Sequence, residues 1–218
     1  MTMASASEIK TLRERTGAGI LDCKKALAES GDDMDKAIDW LRAKGIASAA
    51  KKSGRIAAEG AIHAYIHAGG KIGVLIEVNC ETDFVARTEG FQELVHNIAM
   101  QVAAHSPLYV SVDDIPAADL AREREVQRAK VIEEGKPEKM ADKIVEGRIA
   151  KWHKEVCLLE QDYFRDEDKT IGGLLAEAVG TIGENLKIRR FVRWNLGEGL
   201  EKRSDDFVAE VMSQMKKA

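Results

Sequence analysis

The chain has 218 residues, of which 44% are hydrophobic and 32% are charged, and its formal net charge is −4. This composition is typical of one or two globular domains with a charged surface. Aromatic residues make up 5% of the chain and there are three prolines, which favours helices over an all-β sandwich. The acidic balance argues against a polybasic nucleic-acid or membrane binder. We therefore expect no direct nucleic-acid partner and no membrane association.

The three cysteines lie far apart, at Cys23, Cys80 and Cys157, and no C-x-x-C pair occurs. An odd number at this spacing argues against a disulfide framework or a structural zinc site. We also expect no metal and no cofactor. Residues 1–9 lack the basic cluster and apolar run of a secretory signal. The longest stretch without acidic or basic residues, 94–112, is too polar to span a membrane. We expect a cytoplasmic location.

Residues 1–54 predict a bundle of three short helices followed by a linker. A capping box begins the first helix at Ser5, and Gly17 can end it in the left-handed conformation. A second helix follows with Ile20 on its apolar face, and a third ends at Gly45. A unit this small has exposed faces that suit docking to a partner.

A basic segment follows the third predicted helix. Between Arg42 and Ala58 there are five basic residues and no acidic one. We interpret this segment as a solvated linker. The alternative is a basic strip that faces an acidic surface of a partner.

Two segments, 55–112 and 163–198, predict a single α+β core. Hydrophobic residues alternate with others on both sides of Gly69, which is the pattern of a β-hairpin. Helices are expected over about 89–104 and over 171–182, because their apolar residues recur every three to four positions. The fold class is therefore α+β, with a small antiparallel three-stranded sheet and helices on one side of it.

The third strand of this sheet is expected over Leu186–Asn195, with Ile188, Val192 and Trp194 facing inward. A cluster of arginines on this strand could hold a phosphate, but we interpret it mainly as solvated charge. The cluster consists of Arg189, Arg190 and Arg193.

The insert at residues 113–162 predicts two long helices joined by a turn at Gly135, an antiparallel helical hairpin of the coiled-coil type. The second helix has a broad apolar stripe from Ile144 to Leu159, whereas the first has a thin one. The first helix cannot cover the whole apolar stripe of the second, so part of that stripe needs another partner. We therefore expect the hairpin to pack against the core or against a second copy of the chain. A short amphipathic helix over Asp205–Met215 is expected within a C-terminal module, residues 199–218.

No group of side chains predicts covalent chemistry. His63 and His67 lack the glutamate of a zinc-protease helix, and on a strand they lie about 13 Å apart at ~3.3 Å per residue, so we expect exposed histidines. Cys80 with His96 could be a nucleophile and its base, but a buried structural thiol is the favoured interpretation. No G-x-x-x-x-G-K-[S/T] loop for phosphate occurs. We therefore expect a protein that is not an enzyme.

The pair Asp83 and Phe84 is the feature that a structural role explains least. It lies at the end of a predicted strand, in a loop before a helix. A phenylalanine in a turn is normally core filling. An apolar ring beside a carboxylate on a rigid strand end would also suit insertion into another protein, and the sequence leaves both interpretations open.

Two runs of sequence resemble the family of translation elongation factor Ts. They are LRERTGAGILDCKKALAESGDDMDKAIDWLRAKG at 12–45 and IEVNCETDFVA at 76–86. Residues 135–163 look like the coiled-coil hairpin of that family, and residues 187–207 are similar to its C-terminal region. The resemblance covers essentially the whole chain. It implies that residues 1–54 form a ubiquitin-associated-like bundle.

The resemblance implies a guanine-nucleotide exchange factor for the GTPase elongation factor Tu. Such a factor displaces Mg²⁺ from the GTPase and loosens its phosphate-binding loop, so that GDP leaves and GTP can load. The loop residues implied in Mg²⁺ displacement are Thr82, Asp83, Phe84 and Val85. The residues implied in docking the N-terminal bundle are Leu12, Arg13, Thr16, Gly17 and Gly19. A non-catalytic binding module and a hydrolase that uses Cys80 are the alternatives.

The chain departs from the longest members of that family, which carry two related core subdomains in tandem. Only one sheet-forming hairpin is evident in this sequence. Because short members tend to recover the second half by dimerising, we expect a homodimer that binds two GTPase molecules in a 2:2 complex.

Overall fold

The computed structural model describes residues 5–201. It contains an N-terminal helical bundle, an α+β core and a helical hairpin inserted between two parts of that core. Within this range, no helix combines the length and the apolar character that crossing a membrane requires. The predicted helix at Asp205–Met215, and most of the expected module at 199–218, lie outside the described residues.

The N-terminal bundle consists of α1 (Ala6–Thr16), α2 (Ile20–Glu29) and α3 (Met34–Lys52). The side chain of Ser5 caps α1, and Gly17 ends it at a φ of +68°, where a side chain would be strained. All three helices contribute to one small core. Its buried residues are Leu12, Ala18, Cys23, Ala26, Leu27 and Ala37.

Helix α3 does not end at Gly45, as the sequence predicts, but continues to Lys52. Gly45 lies where α3 crosses α8 (Ile171–Ile182), opposite Gly180. A Cβ atom on Gly180 would lie 2.8 Å from Cα of Gly45, so the two backbones touch. The glycine therefore serves a close helix crossing, and this tertiary contact overrides its weak helix propensity.

Polar contacts accompany the crossing. Arg42 donates to the carbonyl of Asp168 (2.8 Å) and forms an ion pair with Glu177 of α8 at 3.4 Å. Lys52 donates to the carbonyl of Val179 (3.4 Å). The interpretation of this basic segment as a solvated linker is wrong for its helical part, because Arg42 and Lys52 contact the core.

The sheet has the order β1-β2-β5, with antiparallel pairing throughout, which confirms the predicted three-stranded sheet. Its strands are β1 (Glu59–His67), β2 (Ile72–Cys80) and β5 (Lys187–Asn195). Helix α5 (Glu89–His105) packs on β1 and β2. The sheet thus has one covered face.

Helix α8 adds to the same core. Thr170 caps it by accepting a hydrogen bond from the amide of Gly173 (3.1 Å), as its position predicts. A two-stranded ribbon of β3 (Asp162–Tyr163) and β4 (Asp166–Thr170) precedes the helix. The main buried residues of this core are Val74, Ile76, Val78, Phe91, Val95, Ile98, Ile171 and Val179.

A β-bulge interrupts the pairing of β2 with β5. Arg190 pairs with Glu77 and Ile188 pairs with Val78, so Arg189 has no partner across the ladder. One extra residue in a strand moves every later side chain to the opposite face. The inward position of Ile188 is as predicted, but the alternation reverses after it.

The predicted inward positions of Val192 and Trp194 are therefore wrong. Both side chains lie on the outer face, where Trp194 is 61% exposed. Phe191 takes the inner face and packs on the core. Arg193 follows on that face, and its Nε donates to the carbonyl of Ala103 on α5 (3.2 Å).

The inserted hairpin consists of α6 (Ala117–Glu133) and α7 (Glu138–Val156). Val145 and Ile149 of α7 are buried in a cluster that the two helices share, and Val156 is buried at the end of α7. The apolar stripe of α7 is thus largely covered within the chain and does not itself require a second copy. Among the described side chains, ion pairs join the two arms at Arg124–Glu146, Arg128–Asp142 and Arg148–Glu134.

Candidate functional site

The loop after β2 presents a phenylalanine to solvent. The strand ends at Cys80, and α4 (Asp83–Ala86) is a single helical turn that follows it. Phe84 in this turn is 79% exposed, whereas Phe91 of α5 is fully buried. The core-filling interpretation of Phe84 is therefore wrong.

The start of α4 determines which of its side chains face outward. Thr82 caps the turn, its Oγ1 accepting a hydrogen bond from the amide of Val85 (3.4 Å). The turn packs against β1 and β2, with Val85 half-buried and Ala86 buried. Because successive residues of a helix are rotated by about 100°, this arrangement leaves Phe84 on the outer side.

Asp83 lies beside the exposed ring. Its Oδ2 accepts from Arg87, four residues later, at 2.7 Å, and both side chains remain substantially exposed. A surface pair of this kind contributes little to stability. The carboxylate can therefore leave Arg87 for a different partner at low cost.

Glu184 holds the base of this loop from a distant part of the chain. One carboxylate oxygen accepts from the amides of Glu81 and Thr82, both at 3.0 Å. The other accepts from the hydroxyl of Thr82 at 2.7 Å. Sequence reasoning missed Glu184, since the only local signal is an acidic residue directly after Gly183, where α8 ends.

Cys80 supports the same loop from below. Its thiol is buried and donates to the carbonyl of Thr82 (3.1 Å). Burial, with the nearby Glu184 carboxylate, raises the pKa of the thiol. A protonated buried thiol is a poor nucleophile, so the interpretation of Cys80 as a structural residue is favoured over the hydrolase alternative.

Two of the residues expected in docking build the α1–α2 turn. Leu12 is fully buried in the bundle core. Thr16 donates its hydroxyl proton to the carbonyl of Leu12 (2.7 Å) and accepts from the amide of Ala18 (3.3 Å). These side chains shape the turn and offer little surface to a partner.

The surface of the bundle at this turn comes from other residues. Arg13, Gly17 and Gly19 are exposed. Sequence reasoning missed Leu21, which is 81% exposed. It also assigned Ile20 to the apolar, inward face of α2, and this is wrong because Ile20 is 56% exposed. These two adjacent aliphatic side chains in the first turn of α2 form a small exposed apolar patch.

The two histidines of β1 have different surroundings, and the expectation that both are exposed is wrong for His63. His63 is half-buried on the core face, and its Nε2 lies 3.2 Å from Nδ1 of His96 on α5. Burial, and secondarily His96, lowers the pKa of His63. His67 is exposed as expected and contacts the hydroxyl of Tyr65 (2.8 Å). Across the described part of the chain, no three potential metal ligands of the His, Cys, Asp or Glu type are grouped together.

Two of the clustered arginines have a partner within the sheet. Arg189 and Arg190 donate to separate oxygens of Glu77 at 2.8 and 2.7 Å. These bonds lower the pKa of the Glu77 carboxyl. Their charge is therefore partly neutralised, which does not favour a phosphate site.

Comparison with known proteins agrees with the resemblance noted in the sequence. A sequence model of the family described as Elongation factor TS matches residues 48–198. The chain is 58% identical over 215 residues to elongation factor Ts of Desulfitobacterium hafniense, with 99% of each chain covered. It is 58% identical over 216 residues to that of Desulforamulus reducens, covering 99% of this chain and all of the relative.

A further relative, elongation factor Ts of Geobacter metallireducens, is 57% identical over 207 residues, which are 95% of this chain and 96% of the relative. The aligned length with the first two relatives covers 99% of this chain and so includes the N-terminal bundle, the core and the hairpin. The chain therefore belongs to the elongation factor Ts family of translation elongation factors.

Proposed function

We propose that this chain is the guanine-nucleotide exchange factor of elongation factor Tu, and that the Phe84 loop (residues 81–87) is the element that releases GDP. The observation that carries the proposal is the exposure of Phe84 on a turn whose base is held by hydrogen bonds. A large apolar ring kept in water on a fixed support suits insertion into a partner. Since the partner works in translation, we infer a cytoplasmic location.

In the proposed mechanism, the ring of Phe84 inserts between packed elements of the GTPase next to its nucleotide. The Asp83 carboxylate, loosely held by Arg87, enters the neighbourhood of the GTPase Mg²⁺ ion. This ion bridges protein and phosphate oxygens and contributes much of the hold on the nucleotide. Its displacement loosens the phosphate-binding loop, and GDP leaves.

This mechanism requires no covalent step. The factor binds the nucleotide-free GTPase more tightly than the GDP-bound form, and this difference is a coupling free energy. Each ~1.4 kcal/mol of coupling lowers the affinity of the GTPase for GDP about tenfold, and by reciprocity bound GDP lowers its affinity for the factor about tenfold.

The N-terminal bundle supplies a second contact with the nucleotide-binding domain of the GTPase. The exposed side chains at the α1–α2 turn support this role, with Ile20 and Leu21 as apolar contacts and Arg13 as a charged one. Leu12, Thr16, Gly17 and Gly19 then act mainly by shaping the turn. Docking through the bundle holds the factor on the GTPase while the Phe84 loop acts.

The outer face of the sheet supports the proposed homodimer. Helices cover the inner face, whereas the outer face carries exposed apolar side chains from all three strands. A face of this kind on a three-stranded sheet is typical of an unpartnered surface, and two copies related by a two-fold axis would cover each other. The residues of this face are Ile62, Ile66, Leu75, Val192 and Trp194.

The proposed exchange activity is tested by release of fluorescent mant-GDP from purified elongation factor Tu in the presence of excess GTP. We expect substoichiometric amounts of this chain to accelerate release and to turn over. Release at the spontaneous rate would refute the proposed function.

The proposed dimer is tested by sedimentation of the wild-type chain and of Trp194→Glu. We expect the wild-type chain to sediment as a dimer and Trp194→Glu as a monomer, because the variant places a charge on the apolar face of the sheet. Ile132→Glu, which changes an equally exposed side chain on α6, should leave the dimer intact. A wild-type chain that sediments as a monomer at tens of micromolar would contradict this part of the proposal.

A further inference from the structure

The turn between α8 and β5, residues 183–185, contacts two other parts of the chain. Glu184 accepts from the amides of Glu81 and Thr82 and from the hydroxyl of Thr82. Asn185, which is buried, donates its backbone amide to the carboxylate of Glu81 (2.7 Å). The turn is therefore joined by four hydrogen bonds to the segment that leads into α4.

The same turn is joined to the end of α3. The side-chain amide of Asn185 donates to the carbonyls of Ser53 (3.4 Å) and Arg55 (2.8 Å). Arg55 in turn lies 3.4 Å from the carboxylate of Glu81. One short turn thus connects the helix that carries the N-terminal bundle with the base of the Phe84 loop.

The backbone amides that donate to Glu184 lie just beyond the end of β2, where the neighbouring strand no longer provides hydrogen-bond acceptors. Pairing of β2 ends at Cys80, so the next two amides require an acceptor from elsewhere. A carboxylate that accepts from two amides and a hydroxyl makes charge-assisted bonds, which are stronger than neutral ones. Thr82 gives its hydroxyl proton to Glu184 and accepts from Val85 with the same oxygen. Glu184 therefore orients the cap of α4 as well as its approach.

We propose that Glu184 is a positioning residue for nucleotide exchange: it holds the Phe84 loop in the orientation that inserts into the GTPase. Asn185 fixes this orientation relative to α3, so that the bundle and the loop meet the GTPase as one rigid unit. This inference rests on the proposed function of the Phe84 loop. Glu184 itself does not touch the nucleotide or the Mg²⁺ ion.

The proposal distinguishes positioning from docking. If the loop loses its support, the bundle still contacts the GTPase, and the affinity for the GTPase is largely kept. Insertion of Phe84 must then order the loop, and this ordering raises the barrier to GDP release. We therefore expect the maximal rate of exchange to fall, whereas KM, the concentration of the GTPase that gives half of the maximal rate, should stay nearly the same.

The test is Glu184→Gln, which keeps the size of the side chain but removes its charge. The bonds to the amides of Glu81 and Thr82 then lose their charge assistance, and the hydroxyl of Thr82 must turn to accept from the new side-chain amide. We expect the maximal rate of mant-GDP release to fall about tenfold, since this corresponds to the free energy of about one charge-assisted hydrogen bond. KM for the complex of elongation factor Tu with GDP should change by less than about twofold. Glu125→Gln, an exposed residue of α6, removes the same charge and should exchange like wild type.

Two further measurements separate positioning from a general loss of structure. Hydrogen exchange of the free chain should be faster at the amides of Glu81 and Thr82 in Glu184→Gln, with α5 still protected. In a Phe84→Ala background the same substitution should have almost no further effect on the rate, because Glu184 acts through Phe84. Glu184→Asp keeps the charge but shortens the reach, and we expect a fall of about threefold.

Three results would overturn the proposal. Glu184→Gln could support the wild-type maximal rate of GDP release, its effect on that rate could add fully to the effect of Phe84→Ala, or KM could rise while the maximal rate is kept. Loss of protection throughout the chain in both Glu184 variants would also overturn it, since the residue would then be structural. A wild-type chain that fails to accelerate release would instead refute the underlying function, and that is seen before any variant is compared.

Discussion

Phe84 and Phe91 lie seven residues apart, and each follows a threonine that caps a helix. Thr82 caps α4 with Phe84 two positions later, and Thr88 caps α5 with Phe91 three positions later. Phe84 is 79% exposed, whereas Phe91 is fully buried. A difference of one position relative to the cap, about 100° of rotation, thus separates a surface contact from the centre of the core.

The largest expected effect is on stability, at Phe91. We expect Phe91→Ala to lower the free energy of unfolding by about 3–5 kcal/mol, because it leaves a cavity among the fully buried residues of the core. Denaturant titration followed by circular dichroism measures the change. A loss below ~1 kcal/mol would contradict the assignment of Phe91 to the core.

The second expected effect is on exchange, at Phe84. We expect Phe84→Ala to leave the free energy of unfolding within about 0.5 kcal/mol of wild type, since the ring packs on little of the chain. The maximal rate of mant-GDP release should fall at least tenfold, about 1.4 kcal/mol of lost transition-state stabilisation.

The control for Phe84→Ala is Leu108→Ala, which removes another exposed apolar side chain outside the proposed contact surfaces. This variant should exchange at the wild-type rate. If Phe84→Ala instead unfolds the chain, and its activity is lost in proportion, the contrast between the two phenylalanines does not hold.

The smallest expected effect is on the pH dependence of stability. Helix α5, which buries Phe91, also places His96 against His63 of β1. The pKa of His63 is lowered by burial and by His96, so the folded chain binds fewer protons than the unfolded chain below the ordinary pKa of about 6.5. Stability should therefore fall as pH decreases from about 6.5 through the folded pKa.

His63→Gln should reduce this decline, measured as the midpoint of denaturant unfolding between pH 7 and pH 5. His67→Gln changes an exposed residue of the same strand and serves as the control. An identical decline in wild type and His63→Gln would show that other groups produce the acid response.

The parts of this structure that the sequence predicts are those with a local cause. Capping residues such as Ser5 and Thr170, and the left-handed Gly17, determine helix ends through bonds within one turn. The bulge at Arg189 has no such local signal, because it depends on the register against β2. The periodicity of β5 therefore predicts the strand but assigns the wrong face to Val192 and Trp194.

The candidate site was predictable only in part for a related reason. The motif identifies Thr82 to Val85, but a single turn is too short for periodicity to decide whether Phe84 is buried. Glu184 reaches this loop across about a hundred residues of chain, and no local pattern predicts such a contact. Gly45 similarly has the appearance of a helix end until α8 is placed against it.

The bare backbone contact between Gly45 and Gly180 has a consequence for the spacing of the molecule's two proposed contact surfaces. Helix α3 has 19 residues and is about 28 Å long, so a small tilt at the crossing displaces its far end by a larger amount. A methyl group at position 180 would force the two helices to move apart or to tilt. One substitution outside both surfaces would thus leave them chemically intact yet set them at the wrong distance to be engaged together.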